Sequence, residues 1–439
     1  MKKKFWLLFC IVFFLPSLVI SAESAKFTLV GDWNVQVEFD GQTQIFEIGQ
    51  PDYYCPKNEK YDSLPLFNPN GPSWRMAMPL VGTNAQECCV FDALVPGSVE
   101  VRLNPKDEVL LTEGKDYALD VRSGNIGRLD GGNISDQTPV YITYQSVMMR
   151  LDSIVLNQDG SMELIAGQPH RANPVPPILK KDQKRLGNIW VNGRIEKLSD
   201  QLLFPVLSDE NFSFNDDSVI NDNPVAAQLL PKTWKKLQNG EQVRILAWGD
   251  SVTECGYLPD SDRWQQQFAD RLQKKFPKAK IILLTEGWGG RTTGAYLNEP
   301  EGSPRNYQEK VLNLKPDLIV SEFVNDSYMD ANMVNEQYGR IKNDFDNIGA
   351  EWIICTPHYI RADWMGLSKE TDVDNDPRPY VTALRNFGQT NQVAVADASL
   401  FYGQLWRKGI PYSTLMVNNI NHPNKLGMAL FADAIMKLF

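Results

Sequence analysis

Four short segments in the C-terminal half carry residues whose types suit acyl-transfer chemistry. Ser251 follows the apolar run 245–248, and a glycine-rich turn containing Gly290 follows a second such run. Asn325 follows a third run, and His422 precedes the last predicted helix. A serine hydroxyl attacks a carbonyl only when a base takes its proton, and the resulting oxyanion needs preorganised N–H donors. Each residue alone has an ordinary explanation as a cap, a turn or a structural histidine. Their order along one sheet edge favours catalysis.

The elements that must position these residues alternate between strand and helix. Five continuous apolar runs are typical of strands buried on both faces, at residues 245–248, 281–284, 318–320, 352–354 and 393–396. Amphipathic helices are predicted between them, and a final helix over residues 424–437. This alternation predicts an α/β fold, an α/β/α sandwich around a five-stranded parallel sheet. In such sheets ligands bind beyond the carboxyl ends of the strands, where the four segments lie.

With these segments in order, residues 242–439 resemble the SGNH hydrolases, also called GDSL esterases. The matching blocks are GDS within GDSVTECG, the glycine of GWGGRTTG, the asparagine of EFVND and the histidine of NHPN. The resemblance implies that Ser251 is the nucleophile and His422 the general base. It implies an oxyanion hole made by the backbone N–H groups of Ser251 and Gly290 and the side-chain amide of Asn325. It implies no metal and no cofactor.

One position departs from the family pattern. The family usually carries an aspartate three residues before the histidine, and this chain has Asn419 there. An asparagine carbonyl can accept the Nδ1–H bond but cannot offset an imidazolium charge. Three explanations stay open. The first is a Ser-His dyad in which Asn419 or a backbone carbonyl orients the imidazole. The second is another carboxylate that reaches His422, with Asp397 after the fifth strand as the first candidate. The third is a catalytically inactive domain.

Several other side chains are expected at the same edge of the sheet. His358 follows the fourth strand and is either a substrate contact or a structural residue. Trp288 and Arg291 flank the glycine-rich turn and are candidates for substrate binding, as are Tyr359 and Trp364. Aromatic rings near loops are common, so this is the least specific of the expectations.

The N-terminal half has a different pattern. Short alternating runs between Gly, Asn, Asp and Pro clusters predict an all-β accessory domain over residues 23–210, sandwich-like or barrel-like. A linker and lead-in are predicted at 211–241, and the hydrolase domain at 242–439.

The first residues of the chain predict a signal peptide at 1–22. Three lysines, Lys2–Lys4, precede the apolar run 5–20, and the small residues Ser21 and Ala22 follow it. The mature protein is then expected to be secreted or periplasmic, with no membrane insertion, and a disulfide from Cys55 to Cys88 or Cys89 stays open.

The net charge of the chain excludes one class of function. The 439 residues carry a formal net charge of −10, which argues against nucleic-acid binding, because that needs a basic face. The combined expectation is an exported serine esterase that removes O-acetyl groups from a carbohydrate. The alternatives are a lipid-directed GDSL esterase or lysophospholipase, and an inactive glycan-binding protein.

Overall fold

The computed structural model describes residues 24–207 and 224–439 of the chain. The predicted signal peptide lies outside these ranges, and so do residues 211–223 of the predicted linker and lead-in. Among the described helices, none combines the length and the apolar character needed to cross a bilayer.

Residues 24–207, called the N-terminal region from here on, are rich in short strands. All its named strand pairs are antiparallel, which confirms the β-rich prediction. The strands are β1 (Lys26–Leu29), β2 (Asn34–Phe39), β3 (Gln42–Glu47), β4 (Asp52–Tyr54), β5 (Glu59–Tyr61), β6 (Met78–Pro79), β7 (Asn84–Ala85), β8 (Cys88–Cys89), β9 (Glu100–Arg102), β10 (Tyr117–Asp120), β11 (Asn125–Arg128), β12 (Val140–Thr143), β13 (Ser146–Met148), β14 (Arg150–Leu156), β15 (Met162–Ile165), β16 (Lys184–Val191) and β17 (Leu203–Pro205).

These strands form several small sheets rather than one. The largest has the order β15-β14-β16-β17, and three-stranded sheets have the orders β1-β2-β3, β10-β11-β6 and β5-β12-β9. β13 pairs with β4, and β7 pairs with β8 as a separate hairpin. Two apolar cores lie among them, one around Leu151 and Ile189 and the other around Val101 and Ile142. The alternation of buried and less buried residues along β2 shows how one strand face supplies such a core.

Residues 224–439, the C-terminal region, contain a parallel sheet. Its strands are β18 (Gln242–Gly249), β19 (Lys280–Gly287), β20 (Leu318–Glu322), β21 (Glu351–Cys355) and β22 (Ala394–Ala396). The order across the sheet is β19-β18-β20-β21-β22, with every pair parallel. All five strands coincide with the predicted apolar runs, so the predicted α/β class is confirmed.

Helices cover both faces of this sheet. They are α1 (Val225–Leu229), α2 (Pro231–Asn239), α3 (Ser251–Glu254), α4 (Trp264–Lys275), α5 (Thr293–Leu297), α6 (Tyr307–Lys310), α7 (Ala331–Ile348), α8 (Pro379–Asn391), α9 (Ala398–Gly403) and α10 (Lys425–Met436). One face packs Ile245 and Val320 against α2, α4 and α10. The other packs Leu246 and Trp248 against α7 and α8. Alternate residues of β18 therefore belong to opposite cores, which is why its central residues 245–248 are all apolar.

The two regions contact each other through backbone and side chains. Val206 forms an antiparallel bridge with Lys408, and buried Asn188 donates its Nδ2–H to the Gly409 carbonyl. Trp406 of the C-terminal region packs against the core around Leu151. This buried hydrogen bond favours one placement of the two regions relative to each other, because leaving the Asn188 amide unpaired would cost stability.

Candidate active site

The end of β18 is built to present Ser251. Asp250 caps α3, with its Oδ1 accepting from the Val252 N–H at 3.0 Å. A side chain at Gly249 would collide with Thr253 and with the Glu322 carbonyl, so the close approach of β18 to its neighbours requires glycine there. Burial raises the pKa of the Asp250 carboxyl, while the backbone N–H bonds it accepts act in the opposite direction.

His422 lies next to Ser251. Its Nε2 is 3.1 Å from Ser251 Oγ, which is hydrogen-bond distance for a base and a nucleophile. The imidazole stacks on the Tyr257 ring, with centroids 4.5 Å apart and planes 3° from parallel. This stacking restricts rotation of the imidazole, and sequence reasoning gave Tyr257 no role.

The glycine-rich turn after β19 wraps around α3. A Cβ on Gly287 would lie 2.2 Å from the Glu254 N, so only glycine lets the turn approach the helix. The Gly289 N–H donates to Glu254 Oε2 at 2.7 Å. Gly290 has φ +70° with open space around its Cα, so its requirement for glycine is conformational rather than steric. The turn is thus fixed beside Ser251.

Asn325 reaches the same place from the end of β20. Its backbone N–H donates to Asp250 Oδ2 at 3.0 Å, which ties its position to the turn that carries Ser251. Its side-chain Nδ2 is buried and has no hydrogen-bond partner among the described residues. A buried unpaired donor costs about 1–3 kcal/mol, so an oxygen atom bound beside this amide would gain a hydrogen bond from it.

The loop that carries His422 is held by Asn418. The buried Asn418 Oδ1 accepts from the N–H groups of residues 420, 421 and 422 at 2.9–3.0 Å. His358 Nε2 lies 2.7 Å from the Asn421 carbonyl. Burial lowers the pKa of His358 to about 3, so it stays neutral. His358 is therefore placed as a support for the loop, while full burial keeps it from solvent.

The other imidazole nitrogen faces the N-terminal region. His422 Nδ1 lies 3.0 Å from Glu87 Oε1 and 3.3 Å from Gln86 Oε1. Gln86 and Glu87 are the two-residue turn between β7 and β8. Burial opposes ionisation of Glu87, but the hydrogen bond and charge of His422, with the Asn418 amide, lower its pKa to about 2. Sequence reasoning missed Glu87, and no local pattern near QECC indicates it.

Neither Asn419 nor Asp397, the two candidates for orienting His422, contacts its imidazole ring. Asn419 has φ +59° and donates its Nδ2–H to the Ala172 carbonyl at 3.2 Å. Asp397 caps α9, accepts from Thr356 and forms a paired hydrogen bond with Arg385 at 2.9 and 3.0 Å. The structure therefore does not bring these two side chains to His422.

The candidates for substrate binding differ in how accessible their side chains are. Trp288 packs edge-on against buried Tyr296, and the Arg291 guanidinium lies 5.0 Å from the Trp288 ring centroid. Tyr359 is fully buried and cannot reach a substrate from the solvent side. Trp364 is 42% exposed and its ring lies 5.1 Å from that of Trp74 in the N-terminal region.

Two further carboxyl groups lie buried behind the turn. Asp326 accepts from the Thr293 N–H and hydroxyl, and burial raises its pKa to about 7. Burial and the nearby Asp250 raise the pKa of Glu322 well above its ordinary value. Both sit under Asn325, where a neutral carboxyl avoids the cost of a buried charge.

The residues in the described ranges form neither a metal-binding cluster nor a disulfide. Within residues 24–207 and 224–439, no group of three or more His, Cys, Asp or Glu side chains could hold a metal ion. The five cysteines in these ranges are free, so the disulfide left open from the sequence is not formed. Burial raises the pKa of Cys88 and of Cys89 to about 12, which keeps both as thiols.

A parallel sheet with a serine, a histidine and an unpaired amide at its carboxyl edge defines a candidate hydrolase of the serine type. The family model of the GDSL-like lipases and acylhydrolases matches residues 247–430. Residues 247–430 therefore match the model of this family, in agreement with the sequence resemblance.

Comparison with solved structures gives distant similarities. A two-domain esterase active on acetylated mannans is 20% identical, with a TM-score of 0.37, and the match covers 47% of this chain and 51% of that one. An acetyl-xylooligosaccharide esterase variant from Geobacillus is 17% identical, with TM-score 0.36 and coverage of 45% and 93%. An acetyl xylan esterase is 19% identical, with TM-score 0.34 and coverage of 44% and 98%. The chain thus spans about half the length of the two-domain esterase. No protein with a curated description matches significantly.

Proposed function

We propose that the protein is an exported serine esterase that removes O-acetyl groups from a carbohydrate. The observation that carries the proposal is the 3.1 Å contact between Ser251 Oγ and His422 Nε2 at the carboxyl edge of the sheet. The buried unpaired Nδ2 of Asn325 supports it, because an oxyanion would satisfy that donor.

The reaction follows from these positions. Ser251 Oγ attacks the ester carbonyl carbon while His422 Nε2 takes the hydroxyl proton. The tetrahedral oxyanion accepts from the N–H groups of Ser251 and Gly290 and from Asn325. His422 then passes its proton to the departing sugar oxygen, leaving an acetyl-Ser251 ester. Water attacks this ester with His422 again as the base, and acetate leaves as Ser251 regains its proton.

Polar surroundings support a hydroxyl-rich substrate. Glu254 and Arg305 form a charged pair beside the glycine-rich turn, and Arg305 also pairs with Glu286. Arg291 adds a cation on the same turn. The ring of Tyr328, three residues after Asn325, is 59% exposed. Rings of this kind offer a flat apolar face with a polar edge, which suits sugars better than a long acyl chain.

The test is acetate release from acetylated polysaccharides and from an aryl acetate. We expect release by the wild type, abolition by Ser251→Ala, and full activity in Ser261→Ala, which removes an exposed hydroxyl ten residues along. An acyl series should show activity falling beyond acetyl. Activity that rises with chain length would favour the lipid-directed alternative, and no turnover of any ester would refute an esterase.

A further inference from the structure

The contact at His422 Nδ1 identifies a residue beyond those proposed above. The geometry points to Glu87 as the acidic partner that orients His422 and offsets its charge, so that the N-terminal region completes the catalytic unit. This inference rests on the proposed function. It makes Glu87 a positioning residue, since it acts through the imidazole rather than on the substrate.

The two ring nitrogens of His422 face opposite partners. Nε2 lies 3.1 Å from Ser251 Oγ, and Nδ1 lies 3.0 Å from Glu87 Oε1. An Nδ1–H donated to a carboxylate leaves Nε2 unprotonated and directed at the hydroxyl, which is the tautomer a general base needs. Elsewhere in the described ranges, no Asp or Glu oxygen forms an ion pair with His422.

Glu87 is held in place by both regions. The Asn418 amide, which organises the His422 loop, donates to Glu87 Oε1 at 3.1 Å. On the other side, Cys88 and Cys89 are buried and anchor the hairpin base. Gln86 has φ +55°, a conformation that is unfavourable for a residue with a side chain and is often retained at functional sites. The Glu87 side chain is 39% exposed, and that of His422 only 13%.

Charge supports the same role. The pKa of Glu87, lowered to about 2, makes it an anion throughout the range in which a histidine base works. An anion beside Nδ1 stabilises the imidazolium formed when Ser251 loses its proton, which a neutral amide cannot do. Around this pair, Asp250 and His358 interact electrostatically with His422, and Arg75 and Arg361 interact with Cys88 of the hairpin.

The kinetic test compares Glu87→Gln with Glu87→Asp on a small aryl acetate. We expect Glu87→Gln to lower kcat by about 10²- to 10⁴-fold with little change in KM. Glu87→Asp should recover part of the loss because it restores the anion. Glu47→Gln removes an exposed carboxylate of β3 and serves as the matched control.

A spectroscopic test is independent of turnover. The chain has three histidines, so a low-field proton resonance from the His422 Nδ1–H is assignable by its loss in His422→Ala. We expect this resonance in the wild type and in Ser251→Ala, and its loss in Glu87→Gln.

The outcomes separate the two proposals. An unchanged resonance with kcat within about threefold of the wild type in Glu87→Gln would overturn the role of Glu87. If Ser251→Ala abolishes activity in that case, the esterase function stands. If the wild type hydrolyses no ester but the resonance depends on Glu87, the pairing stands and the esterase function fails.

Discussion

Replacement of Asn325 by alanine tests the oxyanion hole and separates catalysis from stability. The Asn325 Nδ2 is buried without a partner in the described structure, and the backbone N–H that ties the residue to Asp250 is unaffected by the change. Loss of one oxyanion donor costs about 3 kcal/mol of transition-state stabilisation, which lowers kcat by about 10²- to 10³-fold. KM should change little, because the ground-state ester carbonyl carries less charge.

The same structure predicts no loss of stability in this variant. Most buried asparagines lose hydrogen bonds on truncation, but this side-chain N–H donates none. Leaving a buried donor unpaired costs about 1–3 kcal/mol, so its removal offsets the lost packing. We expect the free energy of unfolding to stay the same or to rise by about 1 kcal/mol.

The assay is steady-state hydrolysis of an aryl acetate, with urea unfolding of the same preparations. Asn335→Ala, on an exposed position of α7, is the matched control and should behave as the wild type in both. A decrease in kcat of less than tenfold would refute the role of Asn325 as an oxyanion donor. A drop in kcat accompanied by a comparable drop in stability would indicate a structural role instead.

Three other predictions concern neighbouring positions. Gly290→Ala should lower kcat while costing about 1–2 kcal/mol in urea unfolding, because φ +70° disfavours a side chain. Asn419→Asp should leave kcat no higher than in the wild type, because the side chain at this position faces the Ala172 carbonyl rather than His422; a large gain would contradict this placement. Glu87→Gln should be less stable than the wild type at pH 7 by thermal unfolding. Since the folded-state pKa of Glu87 is depressed to about 2, its contribution is complete above its ordinary pKa near 4.5 and disappears as the pH falls towards 2.

The parallel sheet was predictable because its central strands are buried on both faces. Consecutive residues in the middle of such a strand are apolar, and the runs at 245–248 and 318–320 stand out from the amphipathic helices around them. Parallel strands also share one carboxyl edge, so the order of Ser251, Asn325 and His422 along the chain was enough to predict that they meet. No pattern of this kind specifies how the small N-terminal sheets are arranged.

Local propensity failed where tertiary packing decided the backbone. The segment after Ser303 has helical spacing, but the structure breaks it into α6 and a 3₁₀ turn at Leu312–Leu314. Val311 between them has φ −120° and is fully buried. Glu87 shows the same limit at the site, because its contact with Asn418 spans 331 positions of sequence and exists only through docking of the two regions. Sequence spacing carries no information on such a contact.

The hairpin tip at Gln86 and Glu87 also has a consequence for the order in which the chain is made. Synthesis produces Glu87 first, Ser251 much later and His422 last of the three, so the proposed catalytic unit does not exist until residue 422 has been added. Turnover then reports that the two regions have docked, and not merely that each has folded. Mild denaturant that separates the regions should abolish activity while the apolar cores within each region are still intact, so activity would report the docking of the regions before either region unfolds.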